Sequence, residues 1–244
     1  MRRTRVPVAG PGAGRGLSRW LAAAGVAMTV AGVSAPAAAA PLDTMVKAAK
    51  FNDVSAVRKM LARGIDPNAV DDQGMPLLLL AAREKSNDVA LLLMQDKRTD
   101  VDKLDPAGEN AMMLAAIAQD APLVKALIDK GAEVNKKGWT PLHYAASIGD
   151  DEIVKILLEA SAYIDAASPN GTTPLMMAAR AGHASTINLL LEQGADPTLK
   201  NQIGMSAVDF AKHYNEKDGV DALAGKTEAW QASHAAGASS VRAQ

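Results

Sequence analysis

Apolar residues in the segment 137–167 are spaced as two short amphipathic helices joined by a turn. Leu142, Ala145 and Ala146 fall on one face of the first helix, where two small alanines indicate close approach by a neighbouring helix. The second helix begins near Asp151 and contains a larger apolar set, Ile153, Val154, Leu157 and Leu158. Helices of this length are marginal alone in water, so the pair is predicted to stack on others like itself.

The boundaries of the first helix are marked by residues that favour helix ends. The Thr140 hydroxyl can accept a hydrogen bond from a free amide of the first turn, and Pro141 sits where its missing N–H costs nothing. Gly149 can adopt the left-handed conformation that ends a helix. The segment is therefore predicted to be a helix–turn–helix unit.

The same pattern recurs along the chain at a nearly constant period. The glycines that precede successive helix pairs are separated by 34, 30, 33 and 33 residues, at Gly74, Gly108, Gly138, Gly171 and Gly204. An alanine pair lies seven and eight residues after each of the first four, and an Ala-Lys pair lies there in the last copy. A sixth copy surrounds the alanine pair at 48–49. The chain is thus predicted to contain about six stacked units.

Several segments of these copies resemble the ankyrin repeat family. They are TPLHYAA at 140–146, TPLMMAA at 173–179, the Gly182-His183 turn, and the loops GIDPNA at 64–69, GAEVN at 131–135 and GADPT at 194–198. The resemblance covers about residues 42–223. It implies an all-α repeat solenoid of stacked helix–turn–helix repeats with short projecting β-hairpin loops, called fingers below.

The resemblance also implies approximate repeat boundaries. These are 41–73, 74–107, 108–137, 138–170, 171–203 and 204–224. The first and last copies carry polar residues at positions that a middle repeat fills with small or apolar ones, so we expect them to be caps that face water. Residues 225–244 are small and polar apart from Trp230, and we expect this tail to be disordered.

One finger is predicted to be shorter than the others. Five residues, 69–73, separate Asn68 from the next turn glycine, whereas only Lys136 and Lys137 separate Asn135 from Gly138. Because three residues are missing, the row of fingers is expected to have a notch before the fourth repeat.

Residues 1–40 have the pattern of a secretory signal peptide. Five arginines and no acidic residue accompany an apolar run at 20–33, and small residues follow it at 34–40. The run is shorter than the roughly 20 residues that span a bilayer. We therefore expect cleavage, a mature chain that begins between Ala38 and Leu42 without stable membrane insertion, and a periplasmic or secreted location. An uncleaved anchor, and export by the twin-arginine route through Arg2-Arg3, remain alternatives.

Composition narrows the classes of function. The chain has no cysteine, which excludes disulfides, thiolate nucleophiles and cysteine-based zinc sites. Removal of five arginines and no acidic residue takes the formal charge from −1 to −6, so the mature part lacks the basic stripe that nucleic acid requires. We expect a monomer that binds no nucleic acid.

The residues that could support catalysis or metal binding are interpreted as structural. His143 resembles the family histidine that hydrogen-bonds neighbouring backbone, and His183 is similar. When the repeats are aligned, the positions of the two histidines differ by seven residues, which is about 10 Å along a helix. That distance is too large for both side chains to bind one metal ion. No catalytic, cofactor-binding or metal-ligating residue is therefore predicted. An enzyme, or a binder of a metal or small ligand, stays open as an alternative.

The resemblance implies a non-catalytic module that binds a protein through its concave face and finger tips. The residue after each finger glycine and the last turn of each first helix are predicted to face outward there. This set is Phe51, Met75, Arg83, Glu84, Glu109, Ile117, Trp139, Ile148, Arg180, Met205 and Tyr214. Trp139 is the strongest candidate because tryptophan is enriched at interfaces. Two alternatives are that Trp139 and Ile148 pack on each other across the notch, and that the protein is a secreted factor acting outside the producing cell.

Overall fold

Helices account for all the regular structure of the residues that the structure describes. The computed structural model describes residues 39–241. Its helices are α1 Ala39–Lys50, α2 Val54–Ala62, α3 Leu77–Arg83, α4 Asn87–Gln95, α5 Ala111–Ile117, α6 Ala121–Asp129, α7 Pro141–Ile148, α8 Asp151–Glu159, α9 Pro174–Ala181, α10 Ala184–Glu192, α11 Ala207–Tyr214, α12 Lys217–Leu223 and α13 Lys226–Val241. The predicted signal peptide lies outside this range apart from Ala39 and Ala40, which begin α1.

The first twelve helices form six antiparallel pairs that stack in series. The first helices of the pairs contact one another in the order α1, α3, α5, α7, α9 and α11. The second helices do the same in the order α2, α4, α6, α8, α10 and α12. Each pair thus buries its apolar faces against the neighbouring pairs, which confirms the predicted all-α repeat solenoid.

The alanine pairs lie where the stacked first helices approach most closely. Ala145 and Ala146 have no exposed surface, and the same holds for Ala178 and Ala179. In the last repeat Ala211 is fully buried, but the following Lys212 is exposed, because no further first helix packs beyond α11. Small side chains at these positions allow the close packing that the sequence predicts.

The helix ends use the residues expected from the sequence. Gly149 ends α7 in the left-handed conformation at φ 80°. Asn110 begins α5, and its Oδ1 accepts the Met113 N–H at 3.0 Å. Thr140 and His143 form a capping box at the start of α7, and the Thr140 hydroxyl lies 2.9 Å from His143 Nδ1.

Tight turns form four of the fingers. In each of them a backbone N–H bonds the carbonyl four residues later at 3.0 Å, in the pairs 71–75, 105–109, 168–172 and 201–205. Paired strands do not form within residues 39–241, where only an isolated bridge joins Val70 and Pro76. The loops that were expected as β-hairpins are therefore hairpin-shaped turns. Five residues are too few for a ladder on either side of the turn.

The finger before the fourth repeat lacks this turn. Over 135–139 the backbone makes no hydrogen bond of that kind, as the missing three residues predict. The base of the shortened finger is nevertheless anchored, because Asn135 Nδ2 donates to the Ser161 carbonyl at 2.8 Å and its Oδ1 accepts the Tyr163 N–H at 2.7 Å. Asn68 bonds Arg98 and Asp100 in the same way two fingers earlier. The deletion removes the tip of the finger and preserves its base.

The tail after the last repeat is helical, which corrects the expected disorder. Helix α13 begins at Lys226 and continues to Val241, and residues 242–244 lie outside the described range. Alanine is the best helix former, and the tail is rich in it. Trp230 of α13 also borders a shallow cleft that Leu191 and Pro197 line from the fifth repeat. Helix propensity explains why the prediction from a polar, low-complexity composition differs from the structure.

Candidate functional site

The eleven residues predicted to face a partner are all accessible to solvent. Four of them are exposed, namely Phe51, Arg83, Glu84 and Ile117. The other seven are half-buried, namely Met75, Glu109, Trp139, Ile148, Arg180, Met205 and Tyr214. We call these eleven predicted positions, taken together, the finger face. Because its members come from every repeat, it is a candidate for an extended contact.

The arginines of the second and fifth repeats on the finger face contact other side chains of the protein. Arg83 Nε lies 2.9 Å from Glu84 Oε1, and its Nη1 lies 3.1 Å from the Met75 sulfur. In the fifth repeat the Arg180 guanidinium lies 5.1 Å from the centre of the Tyr214 ring. These contacts hold the long side chains against the surface, so less conformational entropy is lost when a partner covers them.

Within residues 39–241, no cation pairs with Glu109, in the middle of the finger face. The Tyr144 hydroxyl donates to Glu109 Oε1 at 2.8 Å, across the junction between the third and fourth repeats. Burial raises the pKa of Glu109, and the nearby Asp105 carboxylate raises it further. Burial likewise raises the pKa of Tyr144, so its hydroxyl stays protonated and remains a donor.

Trp139 is half-buried at the shortened finger, and its ring packs against α7, the helix that follows it. Its ring makes an edge contact with the ring of His143, with 5.1 Å between the centroids and 79° between the planes. His143 is fully buried, whereas Trp139 keeps part of its surface open to solvent. A large aromatic side chain is therefore held in one orientation beside the notch, which suits an interface anchor.

His143 has a structural role that its hydrogen bonds explain. The Thr140 N–H donates to Nδ1 at 3.2 Å, so Nε2 carries the proton and donates to the Thr172 carbonyl at 2.9 Å. Burial lowers the pKa of His143 to about 4. The neutral ring thus joins the fourth repeat to the finger of the fifth, as its resemblance to the family histidine implies.

His183 also serves the stacking of repeats. His183 Nε2 lies 3.2 Å from the Ser147 carbonyl of the preceding repeat. Across the described part of the chain, no group of three histidine, aspartate or glutamate side chains is arranged to hold a metal ion.

Sequence reasoning missed Tyr144 and several exposed apolar residues. Tyr144 is nearly buried and was not placed on the finger face, although its hydroxyl reaches Glu109. The sequence does contain an indication of this role. Tyr144 places a hydroxyl at a position where three other repeats carry leucine or methionine, at 80, 114 and 177. The missed apolar residues are Leu91 on α4, Leu104 and Ile203 near the finger tips, and Tyr163 after α8.

Comparison with known families settles the class of protein. The family model for ankyrin repeats, written as three copies, matches residues 45–138, 78–168, 113–201 and 162–231. The chain is an ankyrin repeat protein. Together the matches extend over all six helix pairs and into α13. Ankyrin repeats are in general modules for protein–protein interaction, and catalysis is not their usual role.

Curated relatives share the repeats with much longer proteins. The chain is 33% identical over 123 residues, 47% of its length, to Palmitoyltransferase AKR1 of Lachancea kluyveri. It is 33% identical over 145 residues, 57% of its length, to the Nuclear factor NF-kappa-B p105 subunit of Mus musculus. It is 31% identical over 168 residues, 67% of its length, to SH3 and multiple ankyrin repeat domains protein 2 of Homo sapiens. The matched regions are 16%, 15% and 9% of those proteins, respectively.

A search for membrane-spanning helices within residues 39–241 finds none that is both long and apolar enough to cross a bilayer.

Proposed function

We propose that this ankyrin repeat protein is a non-catalytic module that binds a protein partner through the finger face. The proposal rests on one observation: successive repeats place aromatic and aliphatic side chains at finger-face positions where they stay accessible to solvent. Trp139, beside the shortened finger, is one of them. Aligned apolar residues that remain accessible mark interaction surfaces more often than scattered ones do. Paired charges around them provide the polar rim that interfaces use.

We expect replacement of Trp139 by alanine to weaken partner binding and to leave the melting temperature nearly unchanged. Partners would be captured with residues 41–244 as bait, and their affinity measured for wild type and variant. Replacing Leu91 with alanine is the matched control, because Leu91 is 43% exposed but lies on α4, in the layer of second helices. If Trp139→Ala lowers the melting temperature by several degrees while folded protein still binds, Trp139 serves packing and the proposal loses its main support.

We also propose that the protein is exported as a monomer and works in the periplasm or outside the cell. The support is the arginine-rich start, the apolar run and the small-residue tract of residues 1–40. The formal charge of −6 after their removal disfavours nucleic acid as a partner. N-terminal sequencing of the exported protein should find a start between Ala38 and Leu42. An intact Met1 in the membrane fraction would contradict cleavage.

A further inference from the structure

In the second repeat, one arginine side chain connects two positions of the finger face. Met75 directly follows the turn glycine, and Arg83 lies eight residues later in the last turn of α3. The Arg83 guanidinium reaches the Met75 sulfur at 3.1 Å. An arginine whose stem starts at the end of a first helix can therefore place its head beside the residue that follows the finger glycine.

The third repeat has the same two positions without the arginine. Glu109 follows its turn glycine, and Ile117 stands where the second repeat has Arg83. Ile117 is 41% exposed, which is unusual for an isoleucine in a helix that is otherwise buried. The Glu109 carboxylate can accept hydrogen bonds from a cation, and Ile117 provides an apolar surface beside it. Together they could bind an arginine side chain, which this repeat does not have at the matching position.

The Glu109 carboxylate is fixed in place but incompletely satisfied. Oε1 accepts from the Tyr144 hydroxyl, and no hydrogen bond from the described residues engages Oε2. Glu109 is half-buried, so its carboxylate is not sealed from solvent. In the described part of the chain, the ion pairs are Lys50–Asp71, Arg83–Glu84, Arg98–Asp96 and Lys125–Glu152, and none includes Glu109. A carboxylate in this environment is stabilised by an added cation.

We propose that Glu109 and Ile117 form a receptor for an arginine side chain of the protein partner. The inference rests on the proposed protein-binding function and names the chemistry that the middle of the finger face selects. The guanidinium would donate to Oε2, and the aliphatic stem would lie on Ile117. Tyr144 is a positioning residue, since its hydroxyl holds the other carboxylate oxygen.

The surrounding charges favour a cationic occupant. The mature chain carries a formal charge of −6. Lys136 of the shortened finger is directed away from Glu109, because its Nζ lies 3.4 Å from the Lys137 carbonyl of its own segment. Arginine fits better than lysine, since its planar head donates in a fork to a carboxylate and its weaker hydration lowers the cost of burial.

The receptor can be tested without an identified partner. We expect N-acetylarginine amide to shift the backbone amide resonances of Glu109 and Ile117 in a saturable manner. N-acetylcitrulline amide, which has the same shape and no charge, should not do so. Glu109→Gln should weaken binding of the arginine probe about tenfold or more, as loss of a charged hydrogen bond does. Glu84→Gln, on the same face but already paired with Arg83, is the matched control.

A second variant supplies the missing arginine within the chain. Ile117→Arg reproduces the arrangement of the second repeat, so its guanidinium should occupy Glu109 and abolish probe binding, whereas Ile117→Met should preserve it. Equal binding of arginine and citrulline probes, or unchanged binding by Glu109→Gln and Ile117→Arg, would overturn the inference. Loss of partner binding on Trp139→Ala together with full partner binding on Glu109→Gln would also overturn it, and would leave the proposed function standing.

Discussion

Replacement of Ala146 by leucine should lower the free energy of unfolding by about 1–3 kcal/mol. Ala146 is fully buried in the layer of first helices, where α7 packs against both α5 and α9. Three added carbon atoms have no space there, so the leucine must adopt a strained rotamer or separate the helices. For a domain of this size, each kcal/mol corresponds to roughly 2–4 °C in melting temperature. Urea unfolding followed by circular dichroism provides the measurement.

The same substitution at Ala181 is the control. Ala181 is the last residue of α9 and is half-buried, so leucine there should change stability by less than about 0.5 kcal/mol. Equal melting temperatures for Ala146→Leu and Ala181→Leu would mean that the alanine pairs reflect helix propensity and not close helix approach.

Replacement of His143 by methionine should destabilise the protein at pH 7. The variant should also lack the part of the acid destabilisation that protonation of His143 causes in the wild type. Methionine already occupies the matching position of α5 and α9, as Met113 and Met176, so the variant should fold. At pH 7 it leaves the Thr172 carbonyl without its donor, which costs about 1–3 kcal/mol.

The pH dependence follows from the lowered pKa of His143. The folded protein holds the ring neutral down to about pH 4, whereas the unfolded chain binds a proton below about pH 6.5. The stabilising contribution is therefore complete above pH 6.5, falls as the pH drops toward 4, and changes no further below that. The shift corresponds to about 3 kcal/mol.

Urea unfolding of wild type and His143→Met between pH 7 and pH 4 tests this linkage. The difference in stability should shrink or reverse as the pH falls, because only the wild type loses the histidine contribution. A difference that stays constant over this range would show that burial does not depress the pKa of His143.

The sequence was sufficient to predict the solenoid because several independent signals repeat at one period. Gly74, Gly108, Gly138, Gly171 and Gly204 set the register, and a buried alanine pair follows each of the first four at a fixed distance. The shortened finger was also predictable, since a deletion of three residues is visible once the register is known. These features depend on local conformation and nearest-neighbour packing, which short sequence patterns encode.

Other features depend on contacts between repeats that no single pattern describes. The Tyr144–Glu109 hydrogen bond joins residues 35 positions apart, and the sequence indicated only that Glu109 faces outward. Composition alone led to the expectation of a disordered tail, but Trp230 borders the fifth repeat from α13. The His143 ring folds back onto Thr140 and completes a capping box, a pairing that the sequence alone did not indicate.

Hydrogen–deuterium exchange of the protein with and without a captured partner would locate the interface. If the finger face binds the partner, exchange should slow in the turn at 105–109, in the shortened finger at 136–139 and at the ends of α5 and α7. The second helices α6 and α8 should keep their free rates. Slowing confined to the second helices or to α13, with the finger face unchanged, would contradict binding through the finger face.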